Sequence, residues 1–206
     1  MVQNSNRPAS CLIVPGLNGS GPRHWQSMWE EERGDCTRVE LGCWSAPIRN
    51  VWIGRLDQAI LTTQAPIIIV AHSLGCLATI WWASLSGRDA TAKVKAAILV
   101  APPDVTKQDP HPLLQRFAPE PETPLPFPSL LVASRNDRFA TFERQRAMAA
   151  RWNCRLVDAG RLGHINAESG LGNWPEGQAL LDSLIEEPAR PADMLAPTEP
   201  ASRLNL

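Results

Sequence analysis

Four consecutive β-branched residues, Ile67-Ile68-Ile69-Val70, run into Ala71-His72-Ser73-Leu74-Gly75 and then into a segment, Leu74 to Leu85, that is apolar nearly all round. A strand with no polar face has to be covered on both sides, as in a parallel sheet flanked by helices. A helix with no polar face has to be enclosed as well. The few residues between them leave no room for a loop, so the chain must pass from strand to helix in one tight turn.

The rest of the chain repeats this alternation. Strand-like runs at Cys11 to Val14, Thr37 to Leu41, Ala96 to Val100, Leu130 to Ala133 and Arg155 to Val157 join the Ile/Val strand. Helical patterns cover Trp25 to Glu32, Asn50 to Thr62, Thr141 to Trp152 and Glu176 to Ile185. Six strands with helical crossovers predict an α/β fold, a six-stranded parallel sheet with helices on both faces. Proline marks two departures. Nine of the 19 prolines fall in residues 102–128, too dense for a helix or a central strand, which predicts a lid-like insertion. Four more follow from Pro188 onward, so residues 1–187 are expected to form a single domain and 188–206 a Pro-rich, flexible tail.

Charge removes several classes of partner. Twenty Lys+Arg against 21 Asp+Glu leave a net charge of −1 with the signs interspersed, so there is no basic stripe for nucleic acid. Apolar runs such as Ala65 to Ala71 fall far short of the ~20 residues that span a bilayer, and Met1 to Ser10 lacks the apolar core of a signal peptide. The five cysteines form no Cys-x-x-Cys pair and are odd in number, the usage of a reducing cytoplasm. No His/Cys/Asp spacing resembles a metal site, and no cofactor is expected.

The tight turn carries the chemistry. Of thirteen serines, only Ser73 has glycine two positions on. A nucleophile elbow holds its serine in a strained strand-to-helix turn, so the residues two before and two after must be small; here they are Ala71 and Gly75. A serine hydroxyl needs a base, and the base an orienting acid. In folds built on such an elbow the acid follows the nucleophile and the histidine comes last. Only His111 and His164 follow Ser73. His111 lies between two prolines of the insertion, whereas His164 follows the last strand, which favours His164. For the acid, Asp137 follows the Leu130 to Ala133 strand and is preferred to Asp104, with Asp109 and Asp158 as further carboxylates near strand ends. Oxyanion donors are expected at the backbone N–H of Leu74 and of Leu17, the latter in the glycine-rich loop Pro15-Gly16-Leu17-Asn18-Gly19-Ser20-Gly21, in preference to Asn18. That loop lacks the lysine of a phosphate loop. His24-Trp25 reads as a buried structural pair, and His72 as a flank of the nucleophile without a role of its own.

Longer motifs occur in a fixed order: Pro15-Gly16 to His24-Trp25-Gln26, Ala71 to Gly75, Pro124 to Ser129, Ser134 to Asp137, Gly163 to Gly170 and Asn173-Trp174-Pro175-Glu176-Gly177. With them the chain resembles, over roughly residues 10–186, the small α/β-hydrolase (serine hydrolase) family that includes YdeN and retinoblastoma-binding protein 9. The resemblance implies a minimal α/β-hydrolase fold with a Ser-Asp-His triad on Ser73, Asp137 and His164, acting on carboxylic esters, with peptidase-like activity in some members. The retinoblastoma-pocket motif Leu-x-Cys-x-Glu is absent, since Leu41-x-Cys43 is followed at position 45 by serine, and no such partner is carried over. The expected function is hydrolysis of a small acyl substrate, ester or amide, through an acyl-enzyme, with activity falling below about pH 6.5 as the base protonates. A non-catalytic protein-binding module on the same fold is the alternative.

Overall fold

The computed structural model describes residues 9–64, 66–108 and 111–187. Six parallel strands form one sheet in the order β2-β1-β3-β4-β5-β6: β1 (Ser10–Val14), β2 (Cys36–Arg38), β3 (Ile67–His72), β4 (Val94–Val100), β5 (Ser129–Ala133) and β6 (Arg155–Asp158). The connections carry helices α1 (Trp25–Glu32), α2 (Arg49–Thr62), α3 (Leu74–Leu85), α4 (Arg88–Thr91), α5 (Pro112–Gln115), α6 (Phe142–Arg151) and α7 (Pro175–Glu186). The order of the strands reverses direction between β1 and β3, which opens a crevice at their carboxyl ends. Registers Val14↔Ala71, His72↔Val100 and Ala133↔Asp158 align those ends along one edge.

Side chains alternate across each strand, so one apolar sequence feeds two cores. Ile67, Ile69 and Ala71 pack with Leu99 and Leu131 against α2, α3 and α6, where Trp52, Trp82 and Met148 are buried. Ile68 and Val70 face the other way with Ile13, Ile98 and Val132, against Trp25 and Trp29 of α1 and Leu181 and Leu184 of α7. Every residue of β3 is buried, and so is α3 from Leu74 to Ile80. Among the described residues no helix is long and apolar enough to cross a membrane.

Two expectations need correction. The second strand spans Cys36–Arg38 and not Thr37 to Leu41: one further bond, Val39 N–H to Ile13 O, prolongs the pairing, then Gly42 at φ 98 turns the chain away. Val39 and Leu41 are buried, so burial without strand pairing gave the same apolar signal. The short α4 and α5 were not anticipated. Helix α5 lies in the Pro-rich stretch 102–128, which is sewn to the body: Leu114, Phe117, Leu125 and Phe127 are buried, and Trp81 Nε1–H and Trp152 Nε1–H donate to Phe117 O and Pro121 O, both at 2.9 Å. The tail expected over 188–206 lies outside the described residues, as do Met1 to Pro8 of the N-terminal segment.

Candidate active site

Strand β3 delivers Ser73 to the carboxyl edge, and α3 starts at the next residue. Ser73 adopts φ 53 and ψ −123, outside the ordinary L-residue regions, and its N–H donates to Val100 O at 2.9 Å. The turn is tight because β1 ends directly beneath it. A Cβ on Gly75 would stand 2.3 Å from Val14 O and 2.6 Å from Pro15 O, so only glycine fits there. Ala71, by contrast, points into the apolar core, where its methyl is accommodated. The Cys76 thiol, its pKa raised by burial, lies under the elbow 3.4 Å from both Ala71 O and Val100 O.

The three residues singled out in the sequence meet here. Nε2 of His164 is 2.9 Å from Ser73 Oγ, and its Nδ1 is 3.0 and 2.9 Å from the two carboxylate oxygens of Asp137. The Asp137 side chain is wholly shielded from solvent and that of His164 nearly so. Further donors fix the carboxylate: Phe139 N–H to Oδ1 at 2.9 Å and Gln145 Nε2–H to Oδ2 at 3.1 Å. With both oxygens so occupied, Asp137 presents acceptors to an Nδ1–H, which leaves Nε2 free to accept from the serine hydroxyl. The Phe139 ring lies 4.3 Å from the imidazole, centroid to centroid, and shields it on one side.

The competing carboxylates and histidine lie elsewhere. Asp104 pairs with Arg144 at 3.2 Å and accepts from Thr106; burial alone would raise its pKa, but these partners hold it below the usual carboxylate range. Asp158 pairs with Arg135 at the surface, and Asp109 is outside the described residues. His111 is exposed and caps α5, its Nδ1 accepting from Leu113 N–H. At the glycine-rich loop the Asn18 N–H is taken by Trp44 O at 2.9 Å. The N–H groups of Leu17 and Leu74 donate to no described group. Gly16 brings this loop against the elbow, so closely that a Cβ there would sit 2.8 Å from Ser73 Cβ and 3.2 Å from Leu74 N.

Three polar residues around the site have partners that the sequence reading gave no role, His72 among them as a mere flank of the nucleophile. Gln145 is fully buried and ties Asp137 to Ser134 N–H and Pro102 O. Gln26, also fully buried, donates to Val14 O and Val70 O and so clamps the ends of β1 and β3. His72 lies 2.9 Å from the carbonyl of His164. In each case a polar residue amid buried neighbours was the available signal, although only the fold supplies its partner. A cavity of about 440 Å³ opens at the amino ends of β5 and β6, lined by Phe127, Ser129, Asn153, Cys154 and Arg155; Ser73, Asp137 and His164, at the carboxyl edge, take no part in it. Among the described residues no cluster of three His, Cys, Asp or Glu side chains is arranged to hold a metal ion.

Known proteins share this arrangement of chain. A YdeN-like hydrolase assigned in Pectobacterium atrosepticum superposes with a TM-score of 0.75 at 29% identity, covering 92% of this chain and 94% of its own. The ydeN gene product of B. subtilis follows with a TM-score of 0.70 at 20% identity, covering 87% of this chain and 100% of its own. The fold also resembles that of the type II thioesterase BorB of the borrelidin biosynthetic cluster, with a TM-score of 0.60 at 15% identity over 90% of this chain and 96% of that one. No curated protein matches the sequence. The serine hydrolase family model matches residues 11–183, most of the chain and all of its sheet but the first residue, and the protein therefore belongs to the serine hydrolase family.

Proposed function

We propose that this serine hydrolase cleaves a small carboxylic ester or amide through an acyl-enzyme formed on Ser73. The observation that carries the reading is the unbroken hydrogen-bonded line Ser73 Oγ–His164–Asp137, with each contact between 2.9 and 3.0 Å. Ser73 Oγ attacks the carbonyl carbon while His164 Nε2 takes its proton. Collapse of the tetrahedral adduct expels the alcohol or amine, which receives that proton from Nε2. Water then attacks the acyl-enzyme by the same route, releasing the acid and regenerating Ser73. Asp137 keeps the imidazole in one tautomer and balances its charge when protonated. The N–H groups of Leu17 and Leu74 hold the oxyanion, a role favoured by the close approach of Gly16 to Ser73 and by the N-terminus of α3.

The test is covalent labelling with a fluorophosphonate probe read by intact mass. The wild type is expected to gain one adduct, mapped to Ser73, while Ser73→Ala gains none and His164→Ala reacts at least ~10³-fold more slowly. A panel of p-nitrophenyl esters of increasing acyl length then measures the size of the acyl site. A folded wild type that no probe labels would return the chain to the alternative of a non-catalytic binding module.

A further inference from the structure

One dipeptide grips His164 at two points. Ser73 Oγ meets its side chain at Nε2, and Nε2 of His72, the residue immediately before, stands 2.9 Å from its main-chain carbonyl. A carbonyl only accepts, so Nε2 of His72 must carry the hydrogen. The contact is deep in the protein, with His72 only 5% exposed and its ring packed on His24, Trp25 and His164.

The loop that bears His164 does not hold its shape unaided. Gly160, Gly163, Ile165, Gly170, Gly172 and Trp174 all have positive φ. For Ile165, β-branched and at φ 48, that conformation is intrinsically unfavourable and persists only where the surroundings impose it. The imposing groups are side-chain donors from α1 and β3. Trp25 Nε1–H reaches Ile165 O at 2.8 Å, Trp29 Nε1–H reaches Asn173 O at 2.6 Å, and His72 takes His164 O. On the acid side, Asn136 Oδ1 and Ser134 Oγ accept from Gly163 N–H and Leu162 N–H. The anchor nearest the chemistry is the one from His72.

We propose that His72 is a positioning residue of the active site, its Nε2–H anchoring the main-chain carbonyl of His164 so that two consecutive residues of the β3 end set the distance between nucleophile and base. The role rests on the hydrolase reading of Ser73 and His164. Burial above all, then the neighbouring charge of His164 and His24, keeps the His72 pKa well below its ordinary value. The ring therefore stays a neutral donor while His164 takes up and returns its proton. Without the anchor the His164 backbone can relax, and a misplacement of about 1 Å costs on the order of 10²-fold in rate.

The experiment compares wild type, His72→Leu and His72→Gln with a p-nitrophenyl ester and with the fluorophosphonate probe. Leucine removes the donor, whereas the glutamine amide N–H can reach the same carbonyl. His72→Leu is expected to lose about 30- to 100-fold in kcat and in labelling rate with KM within about threefold, and His72→Gln to recover to within about fivefold of wild type. A His72→Leu protein that keeps wild-type kcat overturns the proposal. So does a His72→Gln protein as impaired as His72→Leu when both retain the wild-type urea midpoint. Should neither variant fold, the imidazole ¹⁵N spectrum of the wild type decides: His72 in the Nε2–H tautomer supports the anchor, and an Nδ1–H or charged ring overturns it. A wild type that never labels overturns the hydrolase reading and this role with it.

Discussion

Glycine is required on two sides of Ser73 for different reasons. At Gly75 the obstruction is the backbone of β1, with Val14 O 2.3 Å and Pro15 O 2.6 Å from where a Cβ would stand. Relief requires α3 and β1 to separate, and overpacking of this kind costs typically ~1–3 kcal/mol, here toward the upper end because backbone cannot rotate away. At Gly16 the obstruction is the proposed nucleophile, with Ser73 Cβ at 2.8 Å and His72 O at 3.0 Å, and the loop that carries Leu17 can swing outward. The two substitutions should therefore separate stability from activity. Gly75→Ala is expected to lower the unfolding free energy by about 3 kcal/mol. Gly16→Ala should lose no more than ~1–2 kcal/mol, yet label with fluorophosphonate ~10- to 10²-fold more slowly as the proposed oxyanion donor, Leu17 N–H, moves off. Urea denaturation and labelling kinetics on both proteins check this. A Gly16→Ala enzyme labelling at the wild-type rate would contradict the placement of that donor.

At the scale of elements, legibility followed burial. Strand β3 and helix α3 are apolar because they are enclosed, so sequence pattern and structure coincide nearly residue for residue. That Ser73, Asp137 and His164 meet was readable because each follows a strand end on one edge of a parallel sheet. Less of the surroundings could be read. The buried stripe of α6, Gln145 with Met148 and Ala149, shows that Gln145 faces inward but not that Asp137 is its partner. The Pro-rich stretch read as a lid because proline forbids regular elements, while its attachments are long-range and leave no local trace. Reciprocal arginines bind it to the start of α2, Arg49 to Ala118 O and Arg116 to Pro47 O. At its far side Glu120, its side chain 2% exposed, pairs with Arg144, which also holds Asp104. Removing one partner of a buried pair strands the other, at ~3–5 kcal/mol. Arg151 Nη1 remains 3.7 Å from Glu120 and Arg144 is itself 19% exposed, so Arg144→Leu is expected to cost less, about 2–3 kcal/mol. The loss should be partly local, appearing as faster proteolytic cleavage within 102–128 before global unfolding. Equal cleavage rates in variant and wild type would show that the ion pairs do not hold the stretch down.

The molecule as a whole carries its sensitivity to acid in histidines that the proposed chemistry does not protonate. His24 caps α1, accepting Gln26 N–H at Nδ1, while its Nε2 is buried without a partner. Burial first, then the charges of Arg38 and His164, push its pKa down to about 4. His72 is lowered well below its ordinary value, chiefly by burial. In the unfolded chain both groups titrate near 6.5, so below that pH the unfolded state binds protons that the folded state refuses. Folding stability is therefore full above about pH 6.5 and declines as pH falls, until the folded protein also takes the protons, near 4 for His24. With its folded pKa near 4, His24 contributes about 1 kcal/mol between pH 6 and 5, and His72 acts in the same direction. Carboxylates do not share this window. Asp104 and Asp35 both have lowered pKa values, and the stability they lend is present above their ordinary range and lost only as pH falls beneath it. Urea midpoints at pH 7, 6 and 5 should therefore fall progressively for the wild type at constant m-value. His24→Asn, which keeps a capping side chain but cannot titrate, should show a clearly shallower slope. A midpoint that is flat from pH 7 to 5, or a His24→Asn slope equal to that of the wild type, would mean that these rings are protonated or hydrated in the folded protein and that the α1–β3 interface is looser than its packing indicates.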